Sequence, residues 1–305
     1  MYAFLMVAAA ASIAMTAPGP DGPLAGTYLD AGKGAPVVLV IPGSGPTDRD
    51  GNNTLGITAA PYRMLAEALA PKGVSTVRID KRGMFGSKAA VADANKVEIG
   101  DYARDAHSWA AAIRKLTGAK CVWLLGHSEG ALVALAAVQD PHDLCGAILV
   151  SGAGRKLSDV IREQLKSNPA NAPVLDSAMA ALDSLDRGQH VDVTNMNPAL
   201  LPLFRPQVQD YLIDMFRQDP AKLAASARLP LLIVQGERDI QISAADAKLL
   251  AAAQPKARLV LIPAMNHVLK DVVSDDRAAN LATYADSSLP VDSTLVDTIA
   301  EFVKR

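Results

Sequence analysis

The sequence predicts an α/β fold: a mostly parallel sheet with helices on both faces and a helical insertion late in the chain. Three observations carry this. Short β-branched runs alternate with longer stretches of helical periodicity. The short runs are apolar throughout, as strands buried on both faces require. The alternation stops over residues 155–228 and then resumes.

Residues 37–41, Val-Val-Leu-Val-Ile, read as the first buried strand, ended by Pro42-Gly43. A helix over 61–70 follows, with Pro61 suited to its first turn and Tyr62, Leu65 and Leu69 on one face. Residues 74–79 are the next strand, closed by Asp80-Lys81-Arg82-Gly83. Then come a helix over 97–116, a strand over 120–125, a helix over 128–138 and a strand over 143–150. Within 155–228 only amphipathic helices are predicted, marked by Ile161 and Leu165, by Met179, Leu182 and Leu185, and by Phe204, Val208, Tyr211, Leu212 and Met215. Strands over 229–234 and 258–262 and helices over 244–253 and 291–303 complete the pattern. Strands joined by helices imply right-handed crossovers in a parallel sheet. An insertion at this point covers the C-terminal strand ends, where ligands bind in such sheets. The expected division is a core of residues 24–154 and 229–305 and a cap of residues 155–228.

Composition narrows the function. Lys plus Arg number 30 and Asp plus Glu 32, for a net charge of −2. Without a basic field or a long basic run, nucleic acid and anionic membranes are not expected partners. Two cysteines, Cys121 and Cys145, exclude a disulfide scaffold and a multi-cysteine zinc site. They fall near the starts of neighbouring strands; two buried free thiols are expected, with pairing left open if the chain is exported. Residues 1–20 carry no charged side chain, and the apolar run from Tyr2 to Met15 leads into Thr16-Ala17-Pro18-Gly19-Pro20. The run is shorter than the ~20 residues of a membrane span. It reads as a signal peptide over residues 1–17, which places the protein in the periplasm or outside the cell. No Lys or Arg precedes the run, so the alternative is an Ala-rich helix of the mature fold, or a mis-called start codon, in a cytoplasmic protein.

Gly126-His127-Ser128-Glu129-Gly130 is a G-x-S-x-G sequence. Alone it is a weak signal, but here it follows a strand and opens a helix. That context is what a nucleophile elbow requires. A serine hydroxyl needs a base, and the base an orienting acid, in the chain order Ser, Asp or Glu, His. His107 and His127 precede Ser128, His142 lies at the wrong end of the sheet, and His190 is in the insertion. His267 alone follows a strand at its C-terminal end. Asp239 in Gly236-Glu237-Arg238-Asp239 is the expected acid, with Glu237 in reserve. The oxyanion donors are expected to be the backbone N–H groups of Glu129 and of Ser44, in the loop after the first buried strand.

The run Gly43-Ser44-Gly45-Pro46-Thr47-Asp48-Arg49-Asp50-Gly51-Asn52, with Asp80-Lys81-Arg82-Gly83, Gly126-His127-Ser128-Glu129-Gly130, Val208-Gln209-Asp210-Tyr211 and Asn266-His267-Val268-Leu269-Lys270, resembles bacterial α/β-hydrolases. In particular it is similar to carboxylesterases of the group near serine aminopeptidase (S33) and lysophospholipase-like hydrolases, from about residue 24 to 304. One departure is Pro42, where that group usually has an aromatic residue or His. The resemblance implies an α/β-hydrolase sheet of about eight strands and a Ser128, Asp239, His267 triad. It also implies esterase activity on esters of short to medium acyl chains, with no metal or cofactor. The apolar side chains of the cap, with no obvious charge clamp among them, add the expectation of small neutral substrates. Two rivals stand beside it. An aminopeptidase would need Asp48, Asp50 or Glu129 to hold a free amino terminus, and a non-catalytic binding protein would keep the fold without turnover. A dinucleotide-binding turn at Gly43-Ser44-Gly45 is disfavoured because Asp48 replaces the third glycine. Asp48, Arg49 and Asp50 are expected to form a solvated, self-paired loop, and Asp80 and Arg82 to be structural.

Overall fold

The computed structural model describes residues 12–305 apart from Leu55. Among these, eight strands form one sheet: β1 (Ser12–Pro18), β2 (Pro23–Leu29), β3 (Val37–Ile41), β4 (Ser75–Ile79), β5 (Val122–His127), β6 (Leu144–Val150), β7 (Leu231–Gly236) and β8 (Arg258–Ile262). Their order across the sheet is β1-β2-β4-β3-β5-β6-β7-β8. The β1–β2 and β2–β4 pairs are antiparallel and the rest parallel, giving the expected mostly parallel sheet. Helices α1 (Pro61–Leu69), α2 (Ile99–Thr117) and α3 (Glu129–Ala137) connect the early strands. Between β6 and β7 lie α4 (Leu157–Ser167), α5 (Leu175–Asp186), α6 (Leu201–Phe204), α7 (Pro206–Arg217) and α8 (Pro220–Ser226). Then follow α9 (Ala244–Ala253), α10 (Arg277–Ala282) and α11 (Ser293–Val303).

The strands carry apolar residues at every position because both faces are covered. In β3, Leu39 and Ile41 pack in one cluster with Trp109 of α2 and Val133 of α3. Val38 and Val40 point the other way, into a cluster with Leu65 of α1 and Leu295 and Ile299 of α11. The period-2 alternation of a strand therefore feeds two cores rather than one core and solvent. Helix ends follow local chemistry. The Asp101 carboxylate accepts the Glu98 N–H at 2.9 Å at the start of α2, and Gly118 ends that helix with φ 73°.

Two features differ from the sequence-based picture. Residues 12–17, assigned above to the end of a leader, belong to β1 and pair with β2 from Ser12↔Leu29 to Pro18↔Pro23. A cut near Thr16 or Ala17 would remove this edge strand; the rest of the apolar run, residues 1–11, lies outside the described residues. Cys121 and Cys145 are not free thiols but a disulfide, with Cα atoms 5.2 Å apart. Val122 pairs with Leu144 and Trp123 with Gly146, so Cys145 is the extra residue of a bulge at the start of the β5–β6 ladder.

Trp109 is fully buried between α2 and the sheet. Trp109→Ala is expected to lower stability by about 3–5 kcal/mol, read as a shifted urea midpoint at unchanged slope.

Candidate active site

Ser128 sits between the last residue of β5 and the first of α3, with φ 55° and ψ −119°. This backbone is strained for a residue with a side chain, and it lifts the hydroxyl off the sheet end. The glycines on either side make it sterically feasible. A Cβ at Gly126 would fall 2.0 Å from the Gly130 carbonyl oxygen, and one at Gly130 would fall 2.3 Å from that of Ile41. The Ser128 N–H is tied to the Val150 carbonyl at 2.9 Å.

His267 follows β8, and its Nδ1 bonds Asp239 Oδ2 at 2.8 Å. Both side chains are buried. Asp239 Oδ1 accepts the Gln241 and Ile242 N–H groups at 2.8 and 3.0 Å, and Gln235 Nε2 donates to Oδ2 at 3.1 Å. Burial pushes the Asp239 carboxyl up, but the adjacent His267 ring and these backbone donors outweigh it and hold the group below the usual carboxylate range. With Asp239 on Nδ1–H, the free Nε2 lone pair is the basic one. Asn266 holds the loop. Its Oδ1 accepts the Val268 and Lys270 N–H groups, and its Nδ2 donates to Asn280 and Thr283. The reserve acid, Glu237, is exposed.

Three further buried side chains belong to the site. The Tyr62 hydroxyl accepts the Gly43 N–H at 3.1 Å and donates to His127 Nδ1 at 2.8 Å. His127 Nε2 then donates to the His267 carbonyl at 2.8 Å. Lys81 Nζ donates to the Gly43 carbonyl and to Glu129 Oε1, both at 2.7 Å, and lies 5.1 Å from the centre of the Tyr102 ring. Burial, reinforced by the neighbouring His267, lowers His127 to about 3, so it stays neutral at ordinary pH. Burial and then the Glu129 carboxylate raise the Tyr211 hydroxyl well above its ordinary value. Tyr211, on α7, stacks edge-on against Tyr102 of α2 with centroids 6.3 Å apart.

Ser44, Ser128 and Glu129 line one pocket. Leu157, Met215 and Pro220 enter it from the insertion. Arg155 lines it too. That guanidinium is already bound by Asp246 at 3.1 Å and Glu163 at 2.5 Å.

The structure brings Asp239 and His267 into contact and gathers Ser44, Ser128 and Glu129 around one pocket. His107, His142 and His190 are tied elsewhere, to the Ala137 carbonyl, Asp140 and Asp210. The acidic loop after β3 is not self-paired: Arg49 pairs with Asp80 and Asp50 with Arg78, at the end of β4. Arg82 pairs with Asp101 and Asp105. Lys81 and His127 lie inside the sequence motifs and Tyr62 on the predicted helix face, but their partners are distant in sequence. Among the described residues no group of three or more His, Cys, Asp or Glu is placed to hold a metal ion, and no helix is long and apolar enough to cross a membrane.

The family described as serine aminopeptidase, S33, matches residues 55–271. Esterase EstD of Thermotoga maritima is 23% identical over 275 residues, covering 88% of this chain and 62% of its own length. The chain thus spans less than two thirds of that relative. The esterase Pf2001 of Pyrococcus furiosus superposes with a TM-score of 0.61 at 16% identity, over 97% of this chain and 91% of that one. The α/β hydrolase GrgF of Penicillium sp. sh18 gives 0.62 at 17%, over 97% and 98%. These likenesses establish the α/β-hydrolase fold.

The buried His127 makes stability depend on pH. Its folded value of about 3 lies below the 6.5 of a free imidazole, so between these the unfolded chain binds the extra proton. The stabilisation is complete above pH 6.5 and is lost as pH falls toward 3. Urea unfolding of the wild type should lose up to about 1.4 kcal/mol per pH unit more in this window than His127→Asn. Equal slopes would refute it.

Proposed function

The chain belongs to the serine aminopeptidase, S33, family, and from that premise we propose that it is a serine carboxylesterase acting on small neutral esters. The observation that carries the reading is the Asp239–His267 bond, at 2.8 Å, beside a strained Ser128 that opens α3. In the proposed reaction Ser128 Oγ attacks the ester carbonyl carbon while His267 Nε2 takes its proton. The Ser44 and Glu129 N–H groups stabilise the oxyanion, and Asp239 holds the imidazolium. Collapse breaks the C–O bond, and the alcohol leaves with the proton from His267. Water, deprotonated by the same imidazole, then releases the acid from the acyl-enzyme.

Ester rather than peptide chemistry is supported by the state of the carboxylates an aminopeptidase would use. Asp48 Oδ1 accepts the Asp50 and Asn52 N–H groups at 2.9 Å, Asp50 pairs with Arg78, and Glu129 pairs with Lys81. Leu132, Met215 and Ile242 crowd the pocket beside Ser128, which favours modest acyl groups. The Cys121–Cys145 bond favours an oxidising compartment, and we place the protein in the periplasm or outside the cell.

The test is turnover of p-nitrophenyl acetate, butyrate, octanoate and palmitate beside amino-acid arylamides. Activity should fall from butyrate to palmitate, arylamides should be inert, and Ser128→Ala should lose on the order of 10³-fold or more. Arylamide turnover would instead support the aminopeptidase. No turnover and no labelling by a fluorophosphonate probe would support a binding protein.

A further inference from the structure

We propose that Lys81 is a positioning residue for the oxyanion site: through its bonds to the Gly43 carbonyl and to Glu129 it sets the direction of the Ser44 N–H. This rests on the reading of the Ser44 and Glu129 N–H groups as the oxyanion donors. The peptide joining Gly43 to Ser44 is trans and planar, so its C=O and N–H point in opposite directions. Lys81 Nζ grips the carbonyl at 2.7 Å, which aims the Ser44 N–H away from Lys81. Gly43 has no Cβ to restrain its ψ, so this peptide can rotate cheaply. If it turned over, the Gly43 carbonyl would replace the Ser44 N–H and repel a developing oxyanion.

The pair is an unusual expenditure for stability alone. The Lys81 side chain is 2% exposed and that of Glu129 1%, and hydrophobic replacements of such buried pairs are often neutral or stabilising. What the pair does achieve is geometric. Glu129 supplies the other oxyanion N–H from its backbone, and its carboxylate holds the ammonium that holds Gly43. One ion pair therefore couples the two donors. On the other side of the same residue, the Gly43 N–H is held by Tyr62, which is bonded to His127. The Gly43 backbone is thus gripped at both polar atoms, once from each neighbour of Ser128.

The experiment compares wild type, Lys81→Met with Glu129→Gln, and Glu129→Gln alone, with rates normalised to active sites titrated by a fluorophosphonate. The double variant leaves no unpaired buried charge. A trifluoromethyl ketone, whose adduct with Ser128 carries an oxyanion, serves as the tetrahedral mimic. The double variant should lose about 10- to 100-fold in kcat, less than or comparable to deleting an oxyanion donor. The ketone should weaken by a similar factor while KM stays within about threefold. A kcat and ketone affinity within about threefold of wild type would overturn the proposal, as would a loss confined to KM. If the double variant does not fold, Glu129→Gln is read by the same criteria, with about a 3- to 10-fold loss expected from loosening Lys81 without removing it. Failure of the underlying reading looks different: wild type without turnover, or Ser128→Ala retaining it.

Discussion

The close approach of the first turn of α3 to the end of β3 is the constraint on which the rest depends. Gly130 touches the carbonyls of Ile41 and Pro42 so closely that a Cβ would overlap both. Because the helix can descend that far, Ser128 emerges beside the Gly43-Ser44 loop. The parallel pairing of β3 with β5, running from Val38↔Trp123 to Ile41↔Gly126, brings the two strand ends level. A larger residue at 126 or 130 would push helix and strand apart and move the Ser128 hydroxyl away from the Gly43-Ser44 loop.

Around that contact the loops are held by fixed hydrogen bonds rather than by their own stiffness. The line from Gly43 through Tyr62 and His127 to the His267 carbonyl consists of neutral groups. It connects the ends of β3, β5 and β8 without burying a net charge, so burial strengthens the bonds without a Born cost. Two of the buried charged groups near the site are paired and further bonded. Lys81 meets Glu129, and Asp246 receives Arg155, Ser243 and the Gly154 N–H. The same pairing leaves the pocket without a free cation at Arg155, which suits a neutral ligand.

The helices between β6 and β7 act on the site through a few contacts. Tyr211 meets Tyr102 above the Lys81–Glu129 pair, and the Asp214 carboxylate accepts the Ile99 N–H at 2.7 Å at the start of α2. α7 is therefore fastened to α2, and Met215 from α7 lines the same pocket as Ser128. One helix thus both lines the pocket and packs on α2.

The amino-acid sequence by itself determined the parallel sheet, because strands buried on both faces must be apolar at every position, as in residues 37–41 and 231–234. It also determined Ser128, Asp239 and His267 as candidates, because each stands at the C-terminal end of a strand in a recognisable order. β1 was not legible: it pairs along an edge and buries little beyond Ala17, so its composition matches a leader as well as a strand. The disulfide depended on a one-residue bulge that turns Cys145 toward Cys121, and strand periodicity does not announce a bulge. The roles of Tyr62, Lys81 and His127 were decided only by tertiary structure. A hydrogen bond is set by the distance and angle between two atoms, and these partners, such as Lys81 and Gly43 or His127 and His267, meet only once the sheet has brought distant loops together.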